Sequence, residues 1–296
     1  MNFFLKLNQF LKTSSSLLGL NESINLLIQS DMGYLIRQNR SDRTKSLQNN
    51  YELICLIELL QQHVGDSGVL LYPGFFDEYS RSNVPFDVKT SQPSKHIGAL
   101  PRFVFNTQTT SRELNPLTNI MATGENRGVF FQNNGRDTTG YSQKSVWSHF
   151  TEQLVGILLI GVPPSYLTYV HYLEVQSRAP YIYNKVFNLP ILSSGIEISS
   201  FSICPVRLRD SSIRWNFTNF INLCVERQAV FLLPGSNGLV SLTNPQRLKD
   251  LFDEQFRLNP FFLLGTSLSS YLNLQKNLES SLDMKALPNI HGKFLS

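Results

Sequence analysis

Residues 156–181 read GILLIGVPPSYLTYVHYLEVQSRAPY, and they combine a buried type of strand, a sharp turn and a short helix. Ile157 to Ile160 is an uninterrupted apolar run between glycines, which is typical of a strand with both faces buried. Pro163 and Pro164 can extend neither a strand ladder nor a helix interior. The chain must therefore turn directly after this strand.

The helix that follows the turn carries polar residues at every third position. Ser165 is well placed to cap its first turn. Thr168, His171 and Glu174 then recur so that neighbours in the series share one face of the helix. Ligands of open α/β sheets bind beyond the carboxyl ends of the strands. The pattern therefore predicts a site that brings together a hydroxyl, an imidazole and a carboxylate.

This strand and helix resemble the aminoglycoside 3-N-acetyltransferase family, in which an apolar strand ending in LLGV precedes a Thr-x-x-His-x-x-Glu helix. Here the strand ending is Leu158 to Val162, and the helix residues are Thr168, His171 and Glu174. Weaker blocks in the family's order extend the resemblance over residues 20–185. The family is CoA-dependent and is unrelated to the GCN5-like acetyltransferases.

Periodicity elsewhere in the chain predicts alternating strands and helices before residue 185 and a mixed pattern after it. The predicted elements are strands over 23–31, 68–76 and 229–233, helices over 47–64, 213–227 and 245–258, and two antiparallel strands within 186–208. We expect a layered α/β/α fold with a central mixed, largely parallel sheet. In this interpretation residues 1–185 form the CoA-binding and catalytic core, and residues 186–296 form a C-terminal α+β elaboration that completes the same domain.

Composition excludes several classes of protein. The chain has 296 residues, of which 42% are hydrophobic and 16% charged, so it can bury a substantial core. Its formal net charge of +4 is small for this length and argues against general nucleic-acid binding. No apolar run reaches the length of about eighteen residues that spans a bilayer. Cys55, Cys204 and Cys224 indicate reduced core thiols, so we expect a cytoplasmic protein.

The resemblance also implies residues that bind the co-substrate, acetyl-CoA or another acyl-CoA. The family's His-Ser-Ser-Leu motif borders the pantetheine arm of CoA, and it corresponds here to Gln29 through Met32. One serine remains, and Gln29 replaces the histidine. Ser145 belongs to a second matching block, before the LLGV strand. The residues expected to bind the co-substrate are Ser30, Asp31, Met32, Gly33 and Ser145.

Three further residues are expected to contact the acceptor. Tyr72 lies in the stretch that matches the family's Gly-Thr-Leu-x-x-Pro segment, and Asp87 lies in its Phe-Asp segment. Asn115 stands where the family has a second histidine. An asparagine keeps hydrogen bonding but cannot transfer a proton at neutral pH.

A basic segment follows the first predicted strand and contains Arg37, Arg40, Arg43 and Lys45. A solvated loop is the simpler interpretation. The functional alternative is that one or two of these cations contact the nucleotide phosphates of CoA through charge-assisted hydrogen bonds.

The chemistry that these residues allow is acyl transfer from a thioester to an amine. His171 can take the proton of the amine, Glu174 can fix the tautomer of the imidazole, and Thr168 can donate to the oxyanion. A single His-x-x-Glu without a second ligand motif does not indicate a metal site. We therefore expect an acyl-CoA-dependent N-acyltransferase without a metal.

The expected acceptor is an amino sugar. Asp and Glu are sparse across the matched blocks, which favours an anionic acceptor, such as a nucleotide-linked amino sugar of a surface-polysaccharide pathway. Two alternatives stay open, namely an aminoglycoside 3-N-acetyltransferase that confers resistance and a catalytically silent relative that binds CoA or an amino sugar. A homodimer is also left open.

Overall fold

The structure, a computed structural model, describes residues 3–20, 25–38, 50–132, 137–207 and 215–264. The helices are α1 Phe3–Leu17, α2 Met32–Gln38, α3 Tyr51–Val64, α4 Glu78–Arg81, α5 Ala99–Thr107, α6 Tyr169–Gln176, α7 Thr218–Glu226 and α8 Pro245–Leu258. The strands are β1 Asn25–Ser30, β2 Leu70–Pro73, β3 Phe86–Asp87, β4 Ser111–Arg112, β5 Ile120–Thr123, β6 Val155–Ile160, β7 Ile182–Phe187, β8 Ile191–Ser193, β9 Ile196–Ser199, β10 Ser202–Arg207, β11 Val230–Leu232 and β12 Val240–Thr243. Arg40, Arg43 and Lys45 of the basic segment lie outside the described residues.

Seven strands form the central sheet in the order β11-β12-β6-β1-β2-β5-β4. β1 pairs in parallel with both β6 and β2, whereas β12, β11, β5 and β4 join through antiparallel pairs. The predicted mixed α/β sheet is therefore confirmed, with its parallel part limited to the three central strands. β12 runs antiparallel to both of its neighbours, β11 and β6, and the short connection between β11 and β12 accounts for the first of these pairs.

Both faces of the central strands are buried, as the apolar runs predicted. Successive side chains of a strand point to opposite faces. In β1, Leu26 and Ile28 pack in a cluster that includes residues of α1 and α3, while Leu27 packs with residues of α6 and α8. The helices thus cover the sheet in two layers, which confirms the α/β/α arrangement.

The end of β6 is held close to the start of α2. Gly161 has a φ of +77°, and a Cβ on it would lie 2.5 Å from the Cβ of Tyr34. Glycine is therefore required by both the backbone conformation and the available space. The chain next forms a 3-10 turn at Pro164–Tyr166, and α6 begins only at Tyr169, with Thr168 at the N-cap position. Ser165 lies within the turn, so the prediction that it caps the helix is wrong.

The part of the chain after residue 186 contributes both to the central sheet and to smaller ones. Two antiparallel strands were predicted within 186–208, and the described part of this range holds three strands. β8 and β9 form an antiparallel hairpin, and β10 pairs antiparallel with β7, most of which precedes residue 186. β11 and β12 extend the central sheet next to β6. The sequence predicted neither β12 nor α1. None of the helices described here combines the length and the hydropathy needed to cross a bilayer.

Candidate active site

His171 and Glu174 form a hydrogen-bonded pair on α6. The Nδ1 atom of His171 lies 2.7 Å from the Oε2 atom of Glu174, and the carboxylate is fully buried. The other carboxylate oxygen, Oε1, accepts hydrogen bonds from the Tyr181 hydroxyl at 2.8 Å and from the Trp215 indole N–H at 3.0 Å. Because an ionised carboxylate only accepts, Nδ1 carries the proton and Nε2 is left as the basic nitrogen.

Aromatic rings enclose the imidazole, which is still 29% exposed. The centroid of the His171 ring lies 4.6 Å from that of Trp215, 6.3 Å from that of Phe217 and 6.4 Å from that of Tyr141. The guanidinium of Arg207 lies over Trp215, with its carbon 3.6 Å from the ring centroid. The imidazole of His171 therefore has a fixed orientation and partly apolar surroundings.

A cavity of about 150 Å3 opens beside this pair. Its lining includes Thr118, Tyr141, His171, Glu174, Cys204 and Trp215. Glu174 is the acidic residue of the lining, and both of its oxygens are already engaged. Burial, followed by the charge of Asp77, raises the pKa of the Cys204 thiol to about 12. Among the described residues, the cavity lining therefore combines an imidazole with a protonated thiol, and its one carboxylate is engaged by other side chains.

Thr168, the third residue of the predicted series, is held by Gln29 at the end of β1. The Nε2 atom of Gln29 donates to the Thr168 hydroxyl at 2.7 Å, and its Oε1 atom accepts from the Thr168 backbone N–H at 3.4 Å. This contact is possible because β1 and β6 are paired in register up to Ser30 and Ile160. The structure thus brings all three residues of the motif to one end of the sheet, with Thr168 on the side of β1.

The residues expected to bind CoA lie next to this point. Ser30 is buried, and its hydroxyl has no hydrogen-bond partner among the described residues, which fits a polar group of the pantetheine arm. Asp31 accepts from the backbone N–H of Gly33 at 2.8 Å and pairs with Arg37 at 3.8 Å, so its charge is partly compensated. Met32 is buried in the core.

Ser145 and Tyr72 were predicted to contact ligands, but in the structure both are packed against other residues of the protein. The Ser145 hydroxyl donates to the carbonyl of Ser142 at 2.6 Å within a turn, and the residue is buried. Tyr72 is fully buried in the core beside α3, and burial raises the pKa of its hydroxyl. A ligand could reach neither side chain without a rearrangement of the core.

Asp87 binds a turn of its own chain. It is buried, and its carboxylate accepts from the backbone N–H groups of Lys89 at 2.8 Å, Ser194 at 3.2 Å and Gly195 at 2.7 Å. Burial opposes ionisation, but these N–H groups outweigh it and lower the pKa of Asp87. The carboxylate therefore anchors the β8–β9 hairpin, and the expected acceptor contact is not what the structure shows.

The hydrogen-bonding groups of Asn115 are likewise all engaged by other residues of the protein. Its Nδ2 atom donates to the carbonyl of Thr138, the hydroxyl of Ser202 and the carbonyl of Ile203, at 2.7, 3.0 and 3.0 Å. Its Oδ1 atom accepts from the backbone N–H groups of Leu117 and Thr118 and from the Thr118 hydroxyl, at 2.9–3.1 Å. The residue therefore supports the wall of the cavity from behind and does not face an acceptor.

Replacement of Asn115 should reveal this supporting role. Asn115→Ala leaves several buried donors and acceptors without partners, so we expect the free energy of unfolding to fall by about 2 kcal/mol. Chemical denaturation measures this loss. If Asn115→Ala instead keeps the wild-type stability and only raises the KM for the acceptor, the result would support the predicted contact between Asn115 and the acceptor.

Several residues of the site were not identified from the sequence. Gln29 was noted only as a lost histidine, Tyr181 only as the end of the quoted stretch, and Trp215 and Arg207 not at all. The spacing of these residues from α6 carries no periodic signal. Their side chains meet His171, Glu174 and Thr168 only because the strands and loops that carry them come together in the fold.

Comparison with known proteins identifies the family of the chain. The family model described as aminoglycoside 3-N-acetyltransferase matches residues 49–203, which is more than half of the chain. The matching family and the solved structures that share the fold belong to a class distinct from the GCN5-like acetyltransferases. The chain belongs to the aminoglycoside 3-N-acetyltransferase family, whose members are acyl-CoA-dependent N-acyltransferases with acetyl-CoA as co-substrate. This confirms the predicted family and class of enzyme.

Solved structures share the fold at low sequence identity. The aminoglycoside acetyltransferase AAC(3)-Xa has a TM-score of 0.65 and 16% identity, with 86% of this chain and 93% of that chain covered. AAC-IIIb in a binary complex with CoASH has a TM-score of 0.62 and 17% identity, with coverages of 84% and 95%. AAC-VIa bound to sisomicin has a TM-score of 0.63 and 16% identity, with coverages of 84% and 96%. No curated protein sequence matches the chain significantly.

Proposed function

We propose that the protein transfers an acyl group from acyl-CoA to the amino group of an amino sugar, with His171 as the general base. The observation that carries this proposal is the 2.7 Å hydrogen bond from His171 to the fully buried Glu174 at the wall of a cavity. A surface ion pair would leave the carboxylate exposed. Here two further donors fix the carboxylate, which is the arrangement that orients a catalytic imidazole.

The reaction requires one proton to move in each of two steps. As the amine nitrogen attacks the thioester carbonyl and forms the C–N bond, Nε2 of His171 accepts a proton from that nitrogen. Glu174 stabilises the imidazolium that results. When the tetrahedral intermediate collapses and the C–S bond breaks, the imidazolium returns the proton to the departing thiolate. The products are the amide and CoA thiol, and His171 is neutral again.

Direct transfer is favoured over an acyl-enzyme intermediate. Cys204 is the thiol of the cavity lining, and burial keeps its pKa at about 12. A nucleophilic cysteine needs a low pKa, because the thiolate is the reactive form. Rapid-quench kinetics should therefore show no burst of CoA thiol in the absence of an acceptor.

The charge of the cavity favours an anionic acceptor, such as a nucleotide-linked amino sugar of a surface-polysaccharide pathway. A polycationic aminoglycoside binds best beside free carboxylates. The carboxylate in the described lining is that of Glu174, whose oxygens accept from His171, Tyr181 and Trp215. This supports an acceptor that differs from the sisomicin bound by AAC-VIa.

Thr168 is proposed to donate a hydrogen bond to the oxyanion of the tetrahedral intermediate. Gln29 donates to the Thr168 oxygen at 2.7 Å, whereas the hydroxyl proton makes only a long contact of 3.5 Å with the Tyr166 carbonyl, so it can turn to a better acceptor. Gln29→Glu reverses this hydrogen bond, because a carboxylate makes the Thr168 hydroxyl donate to it. We expect kcat to fall about 10–100-fold with little change in stability. Steady-state kinetics of the variant measure the fall.

Gln61→Glu is the matched control for this variant, since it adds the same charge at an exposed position of α3. It should leave kcat unchanged. If Gln29→Glu also keeps the wild-type kcat, Thr168 does not act as the donor, whatever the role of His171.

The proposed function is tested by release of CoA thiol. The purified protein is incubated with acetyl-CoA or longer acyl-CoAs and a panel of free amino sugars, nucleotide-linked amino sugars and aminoglycosides. Thiol release that depends on an amino sugar supports the proposal. Release with aminoglycosides alone would identify a resistance enzyme, and no release with any acceptor would identify a silent relative.

A further inference from the structure

Arg207 and Trp215 form a stacked pair beside the dyad of His171 and Glu174. The guanidinium carbon of Arg207, the last residue of β10, lies 3.6 Å from the centroid of the Trp215 ring. The ring of Trp215 in turn lies 4.6 Å from that of His171, centroid to centroid, and lines the cavity. The Arg207–Trp215 pair is therefore part of the immediate surroundings of the candidate base.

The positive charge of Arg207 has no counter-ion in the described part of the chain. No described carboxylate lies within ion-pair distance of it. Glu174 attracts it electrostatically, but His171, Tyr181 and Trp215 already occupy the carboxylate oxygens. The Nη1 atom is buried without a hydrogen-bond partner among the described residues. A partly buried cation in this state is costly, so an anion beside it would be stabilising.

The stacking also leaves the guanidinium suited to an oxyanion. When one face of the guanidinium rests on an aromatic ring, its N–H groups point outward in the plane. Two of these groups can bind two oxygens of a phosphate or carboxylate at once. Desolvation by burial lowers the pKa of Arg207, and the charge of Glu174 opposes this. A guanidinium is basic enough to remain protonated at neutral pH in proteins.

We propose that the Arg207–Trp215 pair binds the phosphate or carboxylate group of an anionic amino-sugar acceptor. This inference rests on the proposed function, because it concerns the acceptor of the same site. It gives a physical basis for selectivity, since the same guanidinium repels a polycationic aminoglycoside and attracts an acceptor that carries both an amine and an oxyanion. Arg207 would act on acceptor binding and not on proton transfer.

Titration calorimetry without acyl-CoA tests the pair with three probes that share the amino group. These are a nucleoside-diphosphate-linked amino sugar, an amino uronic acid and a free amino sugar that lacks an anionic group. Arg207→Gln should weaken binding of the preferred anionic probe about 10–100-fold and leave binding of the free sugar unchanged. Arg207→Lys should recover part of the loss, because a point charge replaces a bidentate fork. The preferred probe identifies phosphate or carboxylate as the natural group.

Lys12→Gln is the control for loss of one positive charge, since Lys12 is exposed on α1, in the helical layer across the sheet. Thermal unfolding and tryptophan fluorescence check that Arg207→Gln is folded. The proposal is overturned if the wild-type protein binds all three probes equally or binds none, or if Arg207→Gln weakens all three alike. Arg207-dependent binding without any CoA thiol release would instead refute the acyltransferase function and leave the anion site intact.

Discussion

His171→Ala protein is expected to fold normally and to turn over about 10²–10⁴-fold more slowly than the wild type, which is the usual contribution of a positioned general base. An alkylamine is largely protonated near neutral pH, so attack on the thioester needs a group that removes the proton within the site. His171 is the imidazole of the described cavity lining, and Glu174 fixes its orientation. Steady-state kinetics with saturating acyl-CoA measure the loss in kcat.

His96→Ala provides the control, because His96 also contacts a carboxylate, that of Asp77 at 2.9 Å, but is 52% exposed. Its kcat should equal that of the wild type. Binding of CoA to His171→Ala should be nearly unchanged, since the co-substrate is proposed to contact residues 30–33. A kcat close to the wild-type value in folded His171→Ala would exclude the imidazole as the base.

Arg112→Met is expected to lower the free energy of unfolding by about 3 kcal/mol, because it removes the donor for several buried acceptors. The guanidinium is buried and donates to Asn119 Oδ1 at 2.7 Å and to the carbonyls of Ser91 and Gly74. It also lies 4.7 Å from the ring centroid of Phe86. Burial lowers the pKa of Arg112 only to about 9, so the cation persists at neutral pH.

The matched variant is Arg102→Met on α5. Arg102 also donates two hydrogen bonds, to the carbonyl of Pro93 and to Gln92, but at a partly exposed position. Water can replace these bonds, so the loss should stay below about 1 kcal/mol. Denaturant titrations of the two variants compare the losses. Equal losses would show that burial does not set the importance of Arg112.

The prediction of the dyad succeeded because its geometry is local. Residues three apart on a helix are neighbours wherever the helix lies, so His171 and Glu174 could be paired from spacing alone. Ser165 failed as a cap because two adjacent prolines favour a separate 3-10 turn, and α6 starts later. Strands β1 and β6 were likewise evident, because a run of apolar residues needs no knowledge of its partners.

The structural contacts of the predicted acceptor residues could not be foreseen, because their partners are distant in sequence. Asp87 lies in β3 and matches the family's Phe-Asp segment, yet its carboxylate binds the turn at Ser194 and Gly195. Tyr72 lies in a strand whose two faces are both buried, and the sequence does not show that its hydroxyl faces the core. Motif positions can therefore be matched to a family while their roles in this chain are structural.

The placement of β6 has a consequence for biosynthesis. One edge pairs with β1, from Asn25 opposite Val155, and the other pairs with β12, where Val240 lies opposite Ile160. When β6 emerges from the ribosome, its partner β1 has already been synthesised, whereas its other partner, β12, follows roughly eighty residues later. Pairing across such intervals is slow, and an unpaired apolar strand attracts other chains. The strand that leads to His171 is thus exposed to aggregation until translation has passed Thr243.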